Sequence, residues 1–134
     1  MSKKAIPEKE LCRGQSMPIG ELIANPRNPR VHPPEQIDML AKSIRRNGQI
    51  VPVLARLENK MLISGHGIVT ACKQAGLKTV IVDLWDTDQK TANEFMLTAN
   101  RLAALSHDNA GLVADILKDA DSADYAAIGY TPEE

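Results

Sequence analysis

Ile63-Ser64-Gly65-His66-Gly67 constrains this chain more than any other stretch. An apolar segment runs into two glycines bracketing a histidine, then continues through Val69, Ala71 and Cys72 at helical spacing. Glycine opens torsions closed to other residues and lets the main chain come close to a ligand. The first N–H groups of a helix have no partner within it, so a strand that turns through glycine into a helix presents donors to an anion. Gly65, His66 and Gly67 are therefore candidate phosphate-binding residues. A tight connection with His66 solvated above it accounts for the same residues, and a lone Gly-x-Gly does not choose between the two.

Hydrophobic period places this turn in a fold. Pro33 and Pro34 precede Ile37, Leu40, Ala41 and Ile44 at i, i+3, i+4, i+7, and Asn47-Gly48 ends the pattern, which predicts a helix over about 34–47. Strands are expected over about 51–57 and 60–63, joined at Glu58-Asn59, and again over about 79–84. A helix from about 66 to 75 ends at Gly76, and Asp86 or Thr87 caps a longer one reaching Leu105. A last helix is expected over about 108–119. This alternation predicts an α/β (α+β) domain, a small mixed sheet flanked by helices, with the glycine turn at the carboxyl end of a strand where ligand sites collect.

Three regions follow: an N-terminal tail over 1–15, the domain over 16–105, and a C-terminal helix with an acidic tail over 106–134. Thr131-Pro132-Glu133-Glu134 reads as the capped start of another helix, so a following domain is expected. With one Phe, two Tyr and one Trp, the core must be aliphatic, and the stacked aromatics of single-strand binders are missing. Cys12 and Cys72 match no metal or redox spacing, which suits a reduced, cytoplasmic protein. No run reaches transmembrane length, so no membrane partner is expected. A net charge of −1 argues against gripping DNA by bulk electrostatics, yet residues 1–50 hold nine Lys/Arg against five Asp/Glu, and residues 86–134 hold three against ten. The basic half is the one suited to a phosphate or a nucleic-acid backbone.

Two upstream segments give the glycine turn a context. Leu22-Ile23-Ala24-Asn25-Pro26-Arg27-Asn28-Pro29-Arg30 resembles the L-x-x-N-P-x-x-P-R motif of ParB N-terminal domains, and Leu40-Ala41-Lys42-Ser43-Ile44 through Gly48 to Pro52-Val53 resembles their L-A-x-S-I-x-x-x-G-x-x-x-P-x-x-V. The turn then falls where that family has its phosphate loop. The chain thus resembles the ParB/sulfiredoxin-like superfamily over about residues 17 to 105. ParB proteins carry Gly-Glu-Arg-Arg at the loop, sulfiredoxins Gly-Cys-His-Arg and related free-serine kinases Gly-His-His-Arg, against Gly65-His66-Gly67-Ile68 here. Forms from phages and mobile elements, often joined to DNA methyltransferases, look closer through Gly-His-Gly and through Ala99-Asn100-Arg101-Leu102.

The resemblance implies CTP or ATP with Mg2+ as cofactor, Arg27 and Arg30 near the nucleotide, and Asn100 at the nucleotide and its metal. Arg101 sits two positions earlier than the family's arginine, and Ala99 stands where the family has an acid. Ile68 supplies neither the charge nor the two-pronged hydrogen bond of the arginine it replaces, which counts against strong triphosphate binding. The leading expectation is a DNA-associated regulatory or accessory module with a degenerate phosphate loop, working on DNA directly or through a partner domain, or as a homodimer. An enzyme of the same superfamily is the second, a kinase or nuclease with His66 as base or phosphate donor. Its magnesium would need a carboxylate from Asp83, Asp86 or Glu35. A scaffold whose pocket is plugged by Ile68 is the third.

Overall fold

Val80, Val82 and Leu84 alternate with Ile81 and Asp83, the period-two pattern of a strand with one face against a core. A computed structural model describes residues 11–121, 128 and 129 and bears this out. In chain order its elements are β1 (Leu11–Pro18), a 3-10 turn (Ile19–Glu21), α1 (Pro34–Asn47), β2 (Val53–Arg56), β3 (Leu62–Ser64), α2 (His66–Gln74), β4 (Thr79–Trp85), α3 (Gln89–Leu105) and α4 (Ala110–Lys118). The sheet runs β1-β4-β2-β3. β1 is antiparallel to β4, β4 parallel to β2, and β2 antiparallel to β3. A parallel pair needs a crossover, which is why α2 lies between β2 and β4 in the chain.

One face of the sheet carries the main core, where Val53, Ala55, Leu62, Val80, Val82 and Leu84 meet Ile37, Ala41 and Ile44 of α1 and Val69, Ala71 and Cys72 of α2. Burying each Val, Leu or Ile contributes about 1.5–3 kcal/mol. Pro34 opens α1, Arg45 and Arg46 sit in its last turn, and the Gly48 N–H closes it on Ile44 O at 2.7 Å. On the opposite face Ala92 and Met96 of α3 pack with Ile63 and Trp85 of the sheet. Trp85 and Phe95 meet edge to face at 5.5 Å. Cys12 and Cys72 are both free thiols.

The sheet begins earlier than the sequence predicts, because Leu11–Pro18 pairs with β4 although 1–15 reads as a tail. Only Met17 of that strand is buried, so it carries no hydropathy signal. Its pairing also jumps from Cys12↔Leu84 to Gln15↔Val82, and the Gly14 N–H at the jump donates to Asp83 Oδ1 at 2.8 Å. The expected helix start at Thr131 lies outside the described residues.

Candidate functional site

At the end of β3 the chain turns through Gly65, whose φ of 96° is left-handed. Val53 Cγ1 lies 2.6 Å from where a β-carbon on Gly65 would stand, so torsion and space both demand glycine. No side chain caps α2, and its first main-chain bond runs from Val69 N–H to Gly65 O at 3.0 Å. The amides of His66, Gly67 and Ile68 are left as donors for solvent or a ligand.

The Ser64-to-Ile68 turn lines a cleft of about 310 Å³, together with Arg30 and His32 from the segment before α1 and Asn100 of α3. That is the size of small ligand pockets. The Arg30 guanidinium donates through Nη2 to Asn100 O at 2.6 Å, and Asn100 Nδ2 donates to Asn28 Oδ1 at 3.3 Å. Arg30 thereby ties the extended segment to α3 while keeping other N–H donors for an anion. Among the described residues, none that lines the cleft is acidic.

His66 is held from behind. The Asn25 main-chain N–H donates to His66 Nε2 at 3.2 Å, which leaves the neutral ring's proton on Nδ1. Burial first, then the neighbouring His32, push its pKa below the ordinary imidazole value. Asn25 is itself buried and donates through Nδ2 to Asn93 Oδ1 at 2.8 Å. Gln89 Nε2 reaches the same oxygen at 2.8 Å, and Arg56 Nη1 donates to Gln89 Oε1 at 3.1 Å. A line of hydrogen bonds thus runs from Arg56 on β2 through α3 to the histidine.

Gly65, His66, Gly67, Arg30 and Asn100 all line the cleft. Arg27 does not. Its amide closes a turn on Asn25 Oδ1 at 2.9 Å, and the residue is exposed. Arg101 lies beyond the wall, facing a shallow groove beside Arg30 and Asn100. Asn100 offers a neutral amide where a magnesium ion asks for carboxylates. Glu35, Asp83 and Asp86 all stand outside the lining, and Asp83 is engaged by Gly14 and, at 4.0 Å, by Arg13. Among the described residues no group of three His, Cys, Asp or Glu could hold a metal ion.

Sequence reasoning missed His32. Its ring packs over Gly67, with Cε1 and Nδ1 each 3.0 Å from where a β-carbon would be, and its Nδ1 lies 2.8 Å from Gln36 Oε1. Gly67 has no positive φ, so it is glycine for space and not for torsion. The available signal was His32 four residues before Gln36, at the start of a helix. Asn25 was visible only as part of the Asn-Pro motif.

The fold and cleft define a small α/β domain with an anion-receptive turn between strand and helix. The chain belongs to the ParB N-terminal domain family, which it matches over residues 2–101. Its structure is similar to the C-terminally truncated chromosome-partitioning protein ParB of Caulobacter crescentus complexed with CTP-γ-S, with a TM-score of 0.72 and 24% identity over 88% of this chain and 72% of that one. A Pnob8-like ParB-N domain gives 0.57 and 28% over 68% of this chain and 38% of that one. The Caulobacter crescentus protein complexed to the centromeric parS site gives 0.52 and 28% over 69% and 51%. No curated protein matches the sequence.

Proposed function

We propose that this domain is a DNA-associated regulatory or accessory module of ParB type, whose cleft takes the phosphates of a nucleotide with a weakened grip. The observation that carries this reading is a helix start with no side-chain cap, at His66, Gly67 and Ile68, lining one cleft with Arg30 and with no acid among the described lining residues. A phosphoryl group fits such a set, since amides and guanidinium all donate to oxygen. Magnesium does not fit, because the described residues of the cleft offer it only neutral oxygens. CTP-γ-S in one structural neighbour and parS DNA in another support a nucleotide and DNA as the ligands. The Gly-His-Gly loop and Ala99-Asn100-Arg101-Leu102 favour a phage or mobile-element setting beside a DNA methyltransferase. No described helix is long and apolar enough to cross a membrane.

Ile68 is the source of the weak grip. It lines the cleft and packs against the main core, where it supplies neither charge nor side-chain donor. It does not fill the cleft, which favours a ligand over a bare scaffold. Among the described residues the kinase or nuclease reading finds no carboxylate in the cleft for its metal.

Thermal shift with CTP, ATP, ADP and inorganic phosphate tests the nucleotide. Ligand at 100 Kd stabilises by about 2.7 kcal/mol, an easily measured rise in Tm. A rise with CTP or ATP that Arg30→Ala reduces is expected, and no rise with any of them refutes phosphate binding. Fluorescence anisotropy on duplex DNA, with and without nucleotide, tests the second ligand.

A further inference from the structure

We infer that this cleft takes its phosphoryl ligand free of any divalent cation, with the protein supplying all of the countercharge. The inference rests on the reading of the cleft as a phosphate site. Among the described residues, every element that borders the cleft contributes neutral or cationic groups and none contributes an anionic one. The segment before α1 gives Arg30 and His32, the turn gives His66 and three amides, and α3 gives Ala99 and Asn100.

A divalent cation at a phosphate is held jointly by the phosphate and by protein carboxylates, one or two of them in a typical magnesium site. Here α3 lines the cleft with Ala99, Asn100 and Ala103, and the side-chain oxygens among the described lining residues are amides and a hydroxyl. A cation carried in on the nucleotide gains no charged ligand. It cancels part of the negative charge that Arg30 and the helix N-terminus attract, so the metal-free anion is the better ligand.

Isothermal titration of the whole chain with CTP and with pyrophosphate, each in EDTA and in excess magnesium, tests this. Affinity in EDTA equal to or higher than in magnesium is the expected result. Binding that weakens roughly tenfold or more in EDTA overturns the inference while leaving the phosphate site standing. No heat in either buffer overturns the phosphate reading itself.

Ala99→Glu supplies an internal control, with folding checked by its melting curve. A carboxylate in the cleft repels a bare phosphate, so binding in EDTA should fall roughly tenfold and recover on adding magnesium. Unchanged binding in EDTA by a folded Ala99→Glu variant shows that the ligand lies elsewhere, and overturns the inference. If Ala99→Glu does not fold, Arg30→Gln serves. It should weaken binding by a similar factor in both buffers, and no weakening counts against the cleft.

Discussion

His32 stands where a side chain on Gly67 would have to be, its imidazole 3.0 Å from the missing β-carbon. Two residues far apart in sequence therefore fix each other, one by its bulk and the other by having none. Gly67→Ala should push the ring out and cost about 1–3 kcal/mol, the usual range for overpacking. Urea denaturation of Gly67→Ala, His32→Ala and the double variant measures this. The double variant should be less destabilised than the two single effects added together, and strict additivity would show that the rings and backbone adjust independently.

Gly65 is the stricter case. Alanine there meets a left-handed torsion, worth about 1–2 kcal/mol, together with Val53 Cγ1 at 2.6 Å. Gly65→Ala is expected to lose more stability than Gly67→Ala, because Val53 is buried on a central strand and cannot swing away. A smaller loss than that of Gly67→Ala would contradict this packing.

The polar line behind the histidine makes a separate prediction. Asn93 Oδ1 accepts from both Asn25 and Gln89, so Asn93→Leu leaves two partly buried donors short of an oxygen. The cost is about 1–3 kcal/mol. Because Asn25 also donates its main-chain N–H to His66, the His66 ring resonances in an NMR spectrum should shift with it. Loss of stability with His66 unmoved would sever the two ends of the line.

Acid should weaken the fold through His66. Its folded pKa lies below the ordinary imidazole value of about 6.5, so between the two the unfolded chain binds more protons than the folded one. Stability therefore falls as pH drops through that window, is lowest below the folded value, and owes nothing to this group above 6.5. In His66→Gln, glutamine can still accept from Asn25 and does not titrate. The difference in urea midpoint between wild type and His66→Gln should change with pH across this window, and a constant difference would mean that His66 is not coupled to folding.

Legibility was uneven for physical reasons. α1 was readable to the residue because Ile37, Ala41 and Ile44 repeat at helical spacing between Pro34 and Gly48. α3 begins three residues after Asp86, since Asp88 is the cap that accepts from Thr91 N–H at 2.7 Å. Asp86, Thr87 and Asp88 are all acceptable caps by type, so local sequence does not choose among them. β1 was invisible because an edge strand that buries one side chain has no pattern to read.

The site divides along the same line. Sequence alone determined the glycine turn at the end of a strand and the likeness of three ordered motifs to one superfamily, because torsional demands and short-range spacing are written in neighbouring residues. Tertiary structure decided that Arg30 and Asn100 reach the cleft while Arg27 does not, that His32 fills the space over Gly67, and that no carboxylate among the described residues borders the cleft. Those facts depend on which segments meet across the fold. Folding brings Asn28 and Asn100 into hydrogen-bond contact, and no local rule records a contact between residues so distant in the chain.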